Sequence, residues 1–150
     1  MNLYYLDSSA LVKRYYQEKG TRVVQWLFDT SPIVIASSLV LVEVVATLAR
    51  KRKAKAISSL LFEQKVREVE EDWRGFIEVR FTSDVVTRAK ELARDQALRG
   101  ADAVHLASVL KVRDVVSRGA ISICFVVSDE ELKDAAAKKG FEVMDPEQAE

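Results

Sequence analysis

Apolar positions follow two periods along this chain, short continuous or alternating runs and longer stretches that repeat every three to four residues, and the switches between them define the expected elements. A first strand is expected at about Leu3 to Leu6, then a helical stretch from Ser8 to about Phe28. The turn Thr30-Ser31-Pro32 precedes a strand at Ile33 to Ala36. Helices follow at about Ser38 to Lys53 and from Ala56 to about Phe76. The second of these places Ile57, Leu60, Leu61, Val66 and Val69 mostly on one face, with Glu63, Glu68, Glu70, Glu71 and Asp72 elsewhere, as an amphipathic surface helix does. A strand at Ile77 to Phe81 and a helix at Ser83 to Leu98 come next, with Gly100 as a stop before a helix from Ala101 to about Val116. The chain then reads as strand Ile121 to Val127, helix Glu130 to Lys139 ended by Gly140, and strand Phe141 to Met144.

Five strands alternating with helices predict a three-layer α/β/α sandwich around a mainly parallel five-stranded sheet, in one domain spanning residues 1–150. The first and fourth strands are apolar runs, as strands covered on both faces are. With 5 glycines and 2 prolines, a turn-dense sandwich or barrel is disfavoured. The single cysteine, Cys124, lies in the apolar run Ile123 to Val127 and has no partner for an internal disulfide, which fits a reducing, cytoplasmic setting. The residues before Asp7 form no signal peptide, and the longest apolar segment, Val34 to Ala49, is interrupted by Ser37, Ser38 and Glu43, so no membrane role is expected. Charge removes one easy argument: 23 basic residues balance 23 acidic ones, so nucleic-acid binding would have to rest on local clusters.

In parallel α/β sheets a site forms beyond the carboxyl ends of the strands, where strand order reverses. Two strands here end in acids: Leu3-Tyr4-Tyr5-Leu6 runs into Asp7-Ser8-Ser9, and Phe125-Val126-Val127 into Ser128-Asp129-Glu130. Each acid also fits a helix N-cap, and Ser128 with Glu131 fits a capping box. Glu43 lies in a helix, Ser38 to Ala49, that is apolar almost all round and offers it no cation one turn away, so a buried Glu43 needs a partner from elsewhere. Asp102 opens another helix, where an N-cap is again the plain reading. His105, the only histidine, follows one turn later; alone it makes a poor zinc site, and a supporting role is favoured. Four carboxylates meeting at one sheet edge would repel and raise one another's pKa values unless a hard divalent cation joined them. Mg²⁺ or Mn²⁺, as one or two ions, suits such oxygen donors, and the chemistry implied is hydrolysis of a phosphodiester.

Taken together the motifs resemble the PIN-domain nucleases, and among them the VapC-like toxins of prokaryotic toxin–antitoxin pairs. The resemblance rests on Tyr5-Leu6-Asp7-Ser8-Ser9-Ala10-Leu11-Val12-Lys13, Glu43-Val44-Val45-Ala46-Thr47-Leu48, Gly100-Ala101-Asp102-Ala103-Val104-His105-Leu106-Ala107 and Val127-Ser128-Asp129-Glu130-Glu131-Leu132, in that order over nearly the whole chain. It implies that Asp7, Glu43, Asp102 and Asp129 bind the metal and act in catalysis, with Asp7 and Asp102 as direct ligands and Ser9 and Ser128 orienting carboxylates behind them. It further implies selective RNA cleavage, a small antitoxin that covers the site, and a homodimer. An alternative within the same family is a housekeeping RNA-processing nuclease without an antitoxin.

The run Arg50-Lys51-Arg52-Lys53-Ala54-Lys55 places five cations in six residues at a helix C-terminus. Such cations are favourable there in any case; the functional reading is a rim for RNA phosphates or for an acidic antitoxin segment. Lys13, Arg14, Arg99 and Lys111 lie nearer the motifs and are weaker candidates, while Trp26 and Trp73 are expected in the core. Two other classes of protein share parts of this pattern. A signalling receiver domain would need an adjacent acidic pair after the first strand and a late lysine, where this chain has Leu6-Asp7-Ser8 and Ser128-Asp129. A noncatalytic binding module would use the acids only as helix caps.

Overall fold

The computed structural model describes residues 1–116 and 121–149. Its centre is a sheet of five strands, β1 (Asn2–Leu6), β2 (Ile33–Ser37), β3 (Ile77–Val79), β4 (Ser122–Val126) and β5 (Glu142–Met144), in the order β3-β2-β1-β4-β5. Every pairing is parallel. Side-chain alternation along the strands sorts the core into two halves. Leu3, Tyr5, Ile35, Val79, Ile123 and Phe125 pack on one side with α5 (Ser83–Gln96), α6 (Gly100–Val116) and α7 (Glu130–Lys138). Leu6, Val34, Ala36, Cys124 and Val126 pack on the other with α1 (Ser8–Leu11), α2 (Thr21–Asp29), α3 (Ser38–Lys53) and α4 (Ser59–Trp73). Both faces are covered, so the central strands carry apolar side chains on both faces, and burial pushes the Cys124 thiol up to about 11.

The expected helix from Ser8 to Phe28 is two helices. α1 gives way to a short 3₁₀ turn at Val12–Arg14, and α2 begins only at Thr21. Gly20 makes the break: it sits at φ +91°, and a Cβ there would come within 2.9 Å of the Lys13 side chain and 3.0 Å of Pro146. Only glycine takes that backbone and that approach at little cost. Gly100 is likewise not a stop. It is the first residue of α6, and the reversal after α5 is made by Ala97 at φ +53°.

Helix α3 has the expected boundaries but is not buried all round. Val40, Val44 and Leu48 form its one buried stripe, while Val42 is 66% exposed and Glu43 half-buried. Its β-branched apolar residues simulate a buried helix in sequence, yet α3 lies on the outside of its layer. Trp26 also departs from expectation, being 62% exposed on α2; Trp73 is half-buried and donates its indole N–H to Glu78 at 3.0 Å. Among the described residues no helix is long and apolar enough to cross a membrane.

Candidate active site

The sheet order reverses between β1 and β4, since β1 is followed by a neighbour on one side and β4 by a neighbour on the other. These two strands are paired with Leu6 opposite Val126, so the segments that leave them emerge side by side. Asp7 is the first residue beyond β1. Its carboxylate caps α1 by accepting the Ala10 N–H at 3.0 Å, and the Ser9 hydroxyl lies 2.8 and 2.9 Å from its two oxygens. The Ser128 N–H in turn donates to Ser9 Oγ at 3.2 Å, which ties the loop after β4 to the loop after β1. Asp7 is 3% exposed. Burial pushes its carboxyl up to about 6, against the opposing influence of His105, Ser9 and the Ala10 N–H, and Glu43 adds to the rise.

Glu43 meets its partner from another layer. His105 Nε2 lies 2.9 Å from Glu43 Oε1, and its Nδ1 lies 3.2 Å from the hydroxyl of Tyr5 on β1. An ionised carboxylate only accepts, so Nε2 carries a proton; in the neutral ring Nδ1 then accepts from Tyr5. Tyr5 is fully buried, which holds its phenol protonated and able to donate. His105 is 2% exposed, and its ring acts electrostatically on both Asp7 and Asp102, favouring their ionised forms. It therefore stands among three of the acids, not beside Asp102 alone.

Asp102 and Asp129 meet through a cation. Asp102 is the third residue of α6 rather than its cap, because the Ala103 N–H already bonds the Arg99 carbonyl at 2.9 Å. Arg99 Nη2 lies 3.0 Å from Asp102 Oδ2 and 2.6 Å from Asp129 Oδ2, with Nε 3.1 Å from the same Asp102 oxygen. Asp129 also caps α7 by accepting the Leu132 N–H at 3.0 Å. Burial, and then the charge of Asp129, raise the Asp102 carboxyl above the ordinary aspartate range; Arg99 works against the rise.

Ser128 is not the cap of α7, which is Asp129. Its hydroxyl donates instead to Asp145 Oδ1 at 2.9 Å, and Asp145 also accepts from Lys133 Nζ at 2.8 Å and from the Glu147 N–H at 2.9 Å. Burial opposes the charge on Asp145, but these three donors outweigh it and hold the carboxyl below its usual range. Asp145 thus anchors the loop whose backbone holds Ser9 on Asp7. It was missed in the sequence, although Met144-Asp145 repeats the strand-then-acid pattern that marked Asp7. Asp145→Ala is expected to cost about 1–3 kcal/mol of stability by stranding those donors, read as a shift in the denaturation midpoint.

Of the basic candidates, only Arg99 touches the acids. Lys13 is buried against Glu18 at 3.0 Å, Arg14 bonds Asp72 at 2.8 Å, and Lys111 pairs with Asp84 at 2.9 Å. In the run Arg50 to Lys55, Lys51 lies over the ring of Tyr16 and Arg52 over that of Phe62, while Arg50 donates to Thr47. Arg50 to Lys53 form the last turn of α3, roughly 10–15 Å along the axis from Glu43. A cavity of about 650 Å³ between α5 and α6, lined by Asp84, Arg88, Lys111 and Asp114, includes none of the four acids.

The donor set suits a hard divalent cation: all four acids offer oxygen, no thiolate is near, and a positive group already lies between two of them. As the side chains stand, each acid is held by a protein partner, and among the described residues no three His, Cys, Asp or Glu side chains are close enough to hold an ion. The spacing accounts for this in part. A guanidinium nitrogen sits 2.6–3.0 Å from each oxygen, whereas Mg²⁺ draws its oxygens to about 2.1 Å.

The PIN domain model matches residues 4–138, from within β1 to the end of α7. The chain belongs to the PIN-domain family. This PIN domain is 42% identical over 118 residues to ribonuclease VapC45 of Mycobacterium tuberculosis, covering 76% of the chain and 79% of that protein. Its fold matches the crystal structure of M. tuberculosis VapC20, a toxin that cleaves the sarcin-ricin loop, with a TM-score of 0.65 at 17% identity over 92% of this chain and 95% of the other. A toxin–antitoxin complex from Klebsiella pneumoniae matches with a TM-score of 0.65 at 16% identity, over 95% of this chain and 96% of that one. The all-parallel five-stranded sheet belongs to the fold shared with these structures.

Proposed function

We propose that this PIN domain is a divalent-metal-dependent endoribonuclease that acts as the toxin of a VapBC-type pair. The observation that supports the reading is the sharing of the Arg99 guanidinium by Asp102 and Asp129, beside a His105 that bonds Glu43 and acts electrostatically on Asp7. Its similarity to VapC45 supports RNA as the substrate, and the fold it shares with the Klebsiella complex supports a protein antitoxin as partner.

Asp7 and Asp102 would hold Mg²⁺ or Mn²⁺ directly, with Glu43 and Asp129 completing the shell directly or through water. The bound metal supplies an activated water and stabilises charge at the leaving oxygen of an in-line displacement. Ser9 keeps both oxygens of Asp7 oriented, and Ser128 keeps Ser9 in place. His105 fixes the direction of the Glu43 carboxylate through a proton on Nε2, backed by the Tyr5 hydroxyl. The cations at the end of α3 would track the RNA backbone, or an acidic antitoxin segment, at a distance from the chemistry. A homodimer is the expected assembly.

The test is cleavage of RNA by the purified chain with Mn²⁺ and with EDTA, together with mapping of new RNA ends in cells after brief induction. Metal-dependent ends that vanish on co-expression of the adjacent-gene partner support the reading. Cleavage that survives EDTA would overturn it.

A further inference from the structure

Among the described residues Arg99 is the one arginine or lysine seen in contact with the four acids, and its geometry differs from that of an ordinary surface ion pair. A single nitrogen, Nη2, contacts Asp102 and Asp129 together, and Nε adds a second contact to the same Asp102 oxygen. The two acids are unequal to their partner: the Asp102 side chain is 10% exposed and that of Asp129 28%, while the Arg99 side chain is 66% exposed. The backbone of Arg99 is fixed by the tight α5–α6 connection, with Ala97 in the left-handed region and the Arg99 carbonyl bonded to Ala103. The guanidinium alone is therefore free to move into water.

We propose that Arg99 is the internal counter-ion of the metal site: it neutralises Asp102 and Asp129 in the metal-free protein and is displaced from Asp102 when a divalent ion binds. The proposal rests on the reading above that these acids hold metal. Two physical effects act in the same direction. The guanidinium occupies Oδ2 of Asp102 through two nitrogens, so a metal that takes that oxygen has to displace it. Its charge also offsets part of the acidic field that draws a cation in. Exposed ion pairs of this kind are weak enough to exchange, and their usual strength sets the expected effect at roughly two- to fivefold in metal affinity. A free arginine at the mouth of the loaded site is then available to an RNA phosphate, which guanidinium groups bind well.

The experiment is calorimetric titration of Mn²⁺ into the metal-free full chain, without RNA, for the wild type, Arg99→Ala, Arg99→Lys and Asp102→Asn. The wild type is expected to bind, and Asp102→Asn to bind at least tenfold more weakly. Arg99→Ala is expected to bind roughly two- to fivefold more tightly, and Arg99→Lys to return toward the wild type. Because Arg99 is exposed, neither substitution at that position threatens the fold. In parallel, the Nε–H resonance of Arg99, assigned by its loss in Arg99→Lys, is expected to move during a Mg²⁺ titration with the midpoint of metal binding and to end near the values of solvated arginines. Unchanged or weaker Mn²⁺ affinity in Arg99→Ala, or an Arg99 resonance indifferent to saturating Mg²⁺, would overturn the proposal while leaving the metal site intact. A wild type that binds no Mn²⁺ would instead overturn the reading on which it rests.

Discussion

Purified Asp7→Asn protein is expected to cleave RNA at least a hundredfold more slowly than the wild type in Mn²⁺, and to be more stable than the wild type at neutral pH. The loss follows from removing the buried carboxylate proposed above as a metal ligand. Asparagine keeps the size of the side chain and caps a helix about as well as aspartate, so the α1 cap survives. The gain in stability comes from the pKa. Asp7 ionises near 3.8 in an ordinary setting and near 6 in the metal-free fold. Its stabilising contribution is thus complete below about pH 3.8, where both states hold the proton, and is lost as pH rises through about 6. Above that, the fold carries a buried charge that the unfolded chain solvates freely. A displacement of this size corresponds to at most about 3 kcal/mol, and a gain of about 1–2 kcal/mol in Asp7→Asn is expected at pH 7.5. That is a rise of a few degrees in Tm at pH 7.5, vanishing near pH 4. Added Mn²⁺ should raise the Tm of the wild type at pH 7.5 and that of Asp7→Asn much less. Equal cleavage by the variant, or a Tm difference that does not depend on pH, would contradict the placement of Asp7.

The second large effect belongs to His105. Its replacement by alanine opens a cavity in the centre of the molecule and leaves the Tyr5 hydroxyl and the Glu43 carboxylate without their shared partner. A loss of about 2–4 kcal/mol is expected, roughly 5–15 °C in Tm. Cleavage at a temperature where the variant is folded should fall by a further 10- to 100-fold, because Glu43 is no longer oriented. His105→Gln keeps an N–H donor near the position of Nε2 and should recover part of the cleavage while remaining less stable. A variant that lost stability but cleaved RNA normally would mean that His105 only fills space.

Much of this arrangement was legible in the chain. Asp7 and Asp129 each follow an apolar run, and parallel strands bring such residues to one edge; both also cap helices, as the plain reading had it. Glu43 stood out as a lone acid in an apolar helix and Asp102 as an acid at a helix start, but their partners did not. Glu43 and His105 are 62 residues apart, and Arg99 and Asp129 are 30 apart, and no local period reports such pairings. Arg99 sat among four scattered basic residues, indistinguishable in sequence from Lys13, Arg14 and Lys111. Helix boundaries failed where one residue adopted a left-handed backbone: Gly20 split a helix that periodicity ran together, and Ala97 ended one where glycine was expected. Trp26 and α3 were placed too deep because apolar composition measures what a residue tolerates, not which neighbours the fold supplies.

The pairing of β1 with β4 has a further consequence during synthesis. Asn2 faces Ser122, 120 positions further along the chain, and Asp129 follows later still. A growing polypeptide carries Asp7 long before the strand that brings the opposing loop, with Ser128 and Asp129, alongside. For a ribonuclease made on a machine built largely of RNA, the site cannot be assembled before β4 and the loop behind it have emerged.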